Sequence, residues 1–219
     1  LSTVSYDGWK GNIKKIYFFL FLILSPSLHC TEITSDEEYY NKGINLYKNA
    51  KFDEAFIVFF NLAQKGERDS QFNITNMFEG GVGTTQNFVE ALKWCWLCAL
   101  GGEKKCFKKI EKLITKIDEE SLTNVSKEVE VFLEKMLYKK SDINYSLMLG
   151  FWYEKFSPEQ NIEKAYMWYS VAVTGGLYKA MKNRNNAGEY LQPETLIDLQ
   201  NKASKIYSEI KYFGKTKDE

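Results

Sequence analysis

EALKWCWLCALGGEKK, residues 90–105, returns at residues 164–179 as KAYMWYSVAVTGGLYK. The two align without gaps at an offset of 74, with Ala91 on Ala165, Trp94 on Trp168 and Gly101-Gly102 on Gly175-Gly176. The register continues upstream through Gln86-Asn87 and Gln160-Asn161, and downstream through Leu122 and Leu196. Further upstream the offset becomes 75, pairing Ile74 with Leu149 and Phe78 with Tyr153. A shorter period of 36 relates Ala55, Ala63 and Gly66 to Ala91, Ala99 and Gly102. A unit of that length has room for two short helices and their turns. It is too small to bury its own apolar face, so neighbouring units must stack.

Local patterning supports helices. Leu122, Val125, Val129, Phe132 and Met136 recur at spacings of three and four, and Leu196, Leu199, Ala203, Ile206 and Ile210 repeat that stripe. Prolines occur only at 26, 158 and 193, which leaves long runs free to be helical. Asp53, Pro193 and Glu194 suit helix starts, and Gly66, Gly101-Gly102 and Gly175-Gly176 suit helix ends. Ala55, Ala91 and Ala165 mark places where paired helices approach closely, and Trp94 and Trp168 fill the space between pairs.

The chain has 219 residues, 44% of them hydrophobic and 16% aromatic, enough for a packed core. With 29 basic and 29 acidic residues there is no surplus to attract nucleic acid or an anionic membrane surface. Lys10, Lys14 and Lys15 precede the apolar run IYFFLFLIL, residues 16–24, and small residues follow it. This predicts a secretory signal peptide over 1–27, too short in its apolar part to span a bilayer. The protein is then exported, periplasmic or secreted, with a bacterial envelope as the favoured setting. Cys30 is the candidate lipidation position and the only route to a membrane, but His29 is an unfavourable neighbour for it. His29 is also the sole histidine, so Ser-His-Asp and Cys-His catalysis and histidine-based zinc sites are excluded. The acidic runs Asp36-Glu37-Glu38 and Asp118-Glu119-Glu120 read as helix-start residues facing the dipole.

SQFNITNMFEGGVGTTQNFVEALKWCWLCALGG resembles the Sel-one-like repeat (SLR), a relative of the tetratricopeptide repeat. Gln71, Phe72, Asn73, Ile74, Phe78, Gly81, Gly83, Ala91, Trp94, Ala99 and Gly102 carry the resemblance, although Thr75 stands where the family has glycine. Residues 145–176 fit through Leu149, Gly150, Tyr153, Ala165, Trp168, Tyr169 and Ala172, but with Phe156 and Pro158 in place of the loop glycines, so their turn must differ. Residues 39–66 look like a plain tetratricopeptide unit, and 107–138 keep the helical period with little of the repeat pattern. The resemblance implies an all-α, right-handed superhelical α/α solenoid of stacked helix hairpins, with an extended concave face for peptides or protein segments. It also implies that Asn41 and Asn73 face that groove on the first helix of their units, with Asn76 one turn beyond Asn73.

The cysteines admit several readings. Cys95 and Cys98 form Cys-x-x-Cys, yet they fall inside a helix rather than at a helix N-terminus after a strand, where a redox thiolate would be stabilised. Three cysteines without histidine do not make up a four-ligand metal set. The resemblance suggests a disulfide, since cysteine-rich SLR proteins bridge cysteines eight apart at this junction. Cys98 and Cys106 have that spacing, one residue out of frame relative to the glycine. Alternatively all three are packing residues, cysteine being a small hydrophobe when buried. The expected layout is a signal peptide at 1–27, a linker at 28–37, a solenoid at 38–213 with units 38–68, 69–102, 103–140, 141–176 and 177–212, and a polar tail at 214–219. The expected activity is a non-catalytic interaction scaffold without cofactor or metal, binding a protein or peptide partner, itself a monomer or weak oligomer. Thiol-disulfide chemistry at Cys95 and Cys98 is the alternative from another class, and a lipid-anchored envelope scaffold is a third.

Overall fold

A computed structural model describes residues 35–215, with side-chain environments through Tyr212. The expected signal peptide, Cys30 and His29 lie outside the described residues. Among those residues are ten α-helices and no strand: α1 Asp36–Lys48, α2 Phe52–Gln64, α3 Arg68–Gly80, α4 Phe88–Leu100, α5 Lys105–Ile114, α6 Glu119–Lys140, α7 Asn144–Phe151, α8 Ile162–Thr174, α9 Met181–Gly188 and α10 Pro193–Lys215. The fold is an all-α array of consecutive helices, as the repeat demands. None of the described helices is long and apolar enough to cross a membrane.

The helix boundaries follow from side chains that satisfy free backbone groups. Ser35 and Glu38 form a reciprocal capping box at the start of α1. Asn87 and Asn161, equivalent in the 74-residue register, accept N–H bonds at the starts of α4 and α8. Asp118 caps α6, with Glu119 and Glu120 in its first turn. Gly66, Gly102 and Gly176 close α2, α4 and α8 with φ of 88°, 100° and 93°, a region open to glycine at little cost.

The two best-matched hairpins turn differently. Between α3 and α4, Gly81 is left-handed and the Asn87 N–H donates to Phe78 O at 2.9 Å. Between α7 and α8 a π-helical turn, Trp152–Phe156, takes the place of the glycine loop. The same closing bond survives, from Asn161 N–H to Tyr153 O at 2.9 Å. One registration point is kept while the route to it changes.

Helices neighbouring in sequence pack against one another from α1 to α5 and from α6 to α9, and α10 packs back on α8 and α6. The α5 helix packs on α4, while α6 packs on α4 and α7 and reaches α10 rather than pairing closely with α5. The third hairpin is therefore opened out, in the segment where the repeat pattern fades.

Close approach within the other hairpins is governed by an exchange of side-chain size. A Cβ at Gly43 would stand 2.7 Å from the Phe59 ring, and one at Gly150 would stand 2.4 Å from the Tyr169 ring. Both rings are buried. In the second hairpin the position of Gly150 is held by Thr75, and the ring position by Cys95. Thr75 and Cys95 are both fully buried, and the Thr75 hydroxyl donates back to Gln71 O at 2.8 Å. A larger residue on the first helix is thus matched by a smaller one on the second, at roughly conserved volume. Cys95 fills a ring's place.

We expect Gly150→Ala to cost about 1–3 kcal/mol through overpacking, despite alanine's better helix propensity. Cys95→Tyr alone should lower the melting temperature for the same reason, and Thr75→Gly added to it should recover part of the loss. Additive losses in the double variant, measured by thermal unfolding, would show that the two positions do not share volume.

Candidate partner-binding groove

The second helices of the first three hairpins enclose a groove of about 880 Å³ between α2, α4 and α6. Its floor is aromatic. Trp94 on α4 meets Phe60 of α2 edge-on at 5.7 Å and Phe132 of α6 edge-on at 5.8 Å. Phe60 stacks on Phe56 at 5.5 Å, and Phe56 meets Phe78 at 5.1 Å. A continuous strip of rings therefore passes through three hairpins. Trp94 is fixed in orientation because its indole Nε1–H donates to Glu90 Oε2 at 3.0 Å.

The rim is basic. Lys65, Lys93, Lys127, Lys135 and Lys139 line the groove, with Glu128 as the one carboxylate among the lining residues. Lys93 donates to Glu90 at 2.8 Å and to Glu128 at 3.0 Å. Burial alone would lower its pKa, but the two carboxylates outweigh it and hold the ammonium above its ordinary value. Lys65 pairs with Asp36 at 2.7 Å. On α6, Lys127, Val131, Lys135 and Lys139 follow one another every fourth residue and share one face. Val131 in the middle of that row is 63% exposed, unusual for a β-branched apolar side chain on a helix.

The sequence reading missed this groove. It read Leu122, Val125, Val129, Phe132 and Met136 as one apolar helical stripe, of which Val125, Val129 and Met136 are buried. The usable signal was the lysine row carrying an apolar residue, but such a row looks like an ordinary solvated face until α2 stands opposite it.

The three asparagines are placed differently from one another. Asn41 is exposed on α1, in a shallow depression lined also by Glu38, Lys42, Asn45 and Lys51. Asn73 is half-buried, and its Nδ2–H donates to Tyr40 Oη at 3.2 Å, tying α3 to α1. Asn76 is exposed on α3. None of the three lines the aromatic groove.

Cys95, Cys98 and Cys106 come together where α4 meets α5, as free thiols with no exposure to solvent. The Cys106 thiol lies within hydrogen-bonding reach of both others. Those bonds, together with burial, push Cys95 and Cys98 up and leave Cys106 the most acidic of the three. Cys95 also points at Cys106 O and Cys98 at Arg68 O, each at 3.5 Å. The Cys-x-x-Cys pair lies in the middle and last turns of α4 and presents no sulfur surface to a substrate.

Nearby, Glu79 of α3 accepts from Lys109 and, at 3.2 Å, from Lys112 of α5. Its side chain is 14% exposed. Burial raises its pKa, but the two ammonium groups overcome that and hold the carboxyl below the usual range. A carboxylate whose folded pKa is depressed contributes stability above its unfolded pKa, and that contribution is lost as pH falls through the folded value.

Two outcomes follow for this region. Glu79→Gln should destabilise the fold above about pH 5, and the difference from the parent should close as pH falls toward about 3. A difference independent of pH in chemical unfolding would remove the ion pair from the account. In a Cys30→Ser background under reducing conditions, the three remaining thiols should label slowly at neutral pH and quickly once denaturant is added. Fast native labelling of Cys95 or Cys98 would instead favour the redox reading.

No family model matches the chain, and no curated protein matches it. Among solved structures it is similar to a protective antigen present in uropathogenic Escherichia coli strains and displaying an SLR fold, at 15% identity and a TM-score of 0.32. That likeness covers 78% of this chain and 45% of the antigen, so the chain spans less than half the antigen's length. It is also similar to a Sel1 repeat protein from Oxalobacter formigenes, at 18% identity and a TM-score of 0.35, over 78% of this chain and 73% of that one. The chain's own duplicated hairpins make it a helical repeat, with the Asn caps, glycine stops and paired tryptophans recurring in register.

Proposed function

We propose that this chain is a non-catalytic scaffold that holds a protein segment or peptide in the groove between α2, α4 and α6. The observation that carries the reading is that Phe60, Trp94 and Phe132 line one groove together with an exposed Val131 and a row of lysines. Binding surfaces combine apolar anchors at the centre with solvated charge at the edge, and aromatic residues dominate the anchors. A groove built from several second helices places such contacts in a row, which suits an extended ligand rather than a small molecule. The buried thiols favour packing over turnover, since a catalytic cysteine needs access to its substrate. Export remains part of the proposal. Mass spectrometry of the mature N-terminus distinguishes cleavage after Ser27 from acylation at Cys30.

Selection from a random peptide library on the immobilised protein tests the groove. Peptides enriched on the parent should bind Ile57→Gln equally well and Val131→Gln about tenfold more weakly, the loss expected for one apolar side chain contact. Ile57 is the matched control, being 58% exposed on α2 and outside the groove lining. Failure to enrich any peptide, or equal binding to both variants, would remove the groove as the binding surface.

A further inference from the structure

We infer that the partner of this groove is an acidic amphipathic protein segment, with two carboxylates two helical turns apart and a large apolar side chain between them. The inference rests on the scaffold reading and specifies its ligand. The chain as a whole is neutral, so the basic rim is a local arrangement and not the result of a basic composition. Most lysine charge elsewhere on the rim is already used. Lys65 is paired with Asp36, and Lys93 with Glu90 and Glu128. Among the described residues, Lys127 and Lys135 make no ion pair, and both are exposed on the α6 face that lines the groove.

These two lysines are eight residues apart, and at 1.5 Å of rise per residue their Cα atoms are separated by about 12 Å along α6. Val131 lies midway between them in sequence and lines the same groove as Phe132 and Trp94. The groove thus presents a cation, an apolar contact and a cation in sequence, one helical turn between each. The complementary segment has the mirrored order, a carboxylate, an apolar side chain and a carboxylate, each four residues on if it is helical. The apolar residue supplies the burial and the carboxylates fix register and orientation, because exposed ion pairs add specificity and association rate more than affinity. A nucleic acid or a lipid surface would also meet lysines. Both, however, draw on a basic surplus over the chain, and here 29 basic residues meet 29 acidic ones.

The test uses the full chain and synthetic helical peptides with the pattern Glu-x-x-x-Leu-x-x-x-Glu, their binding followed by tryptophan fluorescence and calorimetry. A second peptide carries Lys in place of both Glu, and a third carries Ala in place of Leu. The acidic peptide should bind saturably, the basic one should not, and the Ala peptide should bind about tenfold more weakly. In Lys127→Glu/Lys135→Glu, a change confined to exposed positions and checked for fold by circular dichroism, the acidic peptide should weaken about tenfold and the basic peptide should gain. The acidic affinity should also fall as salt is raised. Unchanged binding of the acidic peptide to the double variant would overturn the inference. So would tighter binding, through the same lysines, to vesicles of phosphatidylglycerol than to the peptide. If the random library instead yields groove-dependent peptides that are neutral or basic, the acidic partner is excluded while the scaffold reading stands. If the library yields none, the scaffold reading falls as well.

Discussion

Two helices in one hairpin can approach closely only where their facing side chains sum to a fixed volume, and the rest of this molecule depends on that constraint. Gly43 receives the Phe59 ring and Gly150 receives the Tyr169 ring, each in a space that a single added carbon would fill. In the second hairpin the same space is divided between Thr75 and Cys95. Interiors packed to crystal density permit such exchanges and penalise unilateral change. With the distance within a hairpin set, the caps and glycine stops fix where each helix begins and ends, and the outward faces are left in a defined order for the next hairpin. Burial of each ring contributes about 1.5–3 kcal/mol, so a few such contacts are comparable with the stability of a whole domain.

The same constraint explains the groove. In the first and second hairpins the outward aromatic residues of α2 and α4 meet directly, Phe60 against Trp94. In the third, α6 continues the ring strip through Phe132 but does not pair closely with α5. The helix is longer than α2, α4 and α8 and packs on α4, α7 and α10. Its lysine face consequently stands across from α2, and a surface that would otherwise be solvated becomes one wall of a cleft. Glu90 couples the two parts of the site, since one of its oxygens orients the Trp94 indole and the other holds Lys93 at the rim.

The cysteines illustrate how a chemical motif can arise from packing. Cys95 stands where other hairpins have a ring, Cys98 sits in the last turn of α4, and Cys106 covers both from α5. Each is a small apolar residue at a crowded junction, and the Cys-x-x-Cys spacing follows from one helical turn. The ion pairs of Glu79 with Lys109 and Lys112 join the same two hairpins from the side. Junction and groove are therefore separate features on α4, which contributes its buried face to one and Lys93 and Trp94 to the other.

The amino-acid sequence determined the helical repeat, because period, caps and glycine stops are local properties that each unit states twice. Asn87 and Asn161, Trp94 and Trp168, and the paired glycines could be read in register without knowing what they touch. It also determined that the turn after α7 would differ, since a left-handed loop without glycine is costly. The tertiary structure alone decided the packing of α6, the meeting of Trp94 with Phe60 and with Phe132, and the exposure of Lys127 and Lys135 on one wall of a cleft. Those features depend on contacts between residues more than thirty positions apart. They also arise where the repeat pattern fades, so no register was available to extend. The asparagines show the converse: aligned by repeat, they have unlike surroundings, because Asn73 is taken up by Tyr40 while Asn41 and Asn76 face solvent. Periodicity fixes which residues are equivalent along the chain, but only packing decides which of them meet.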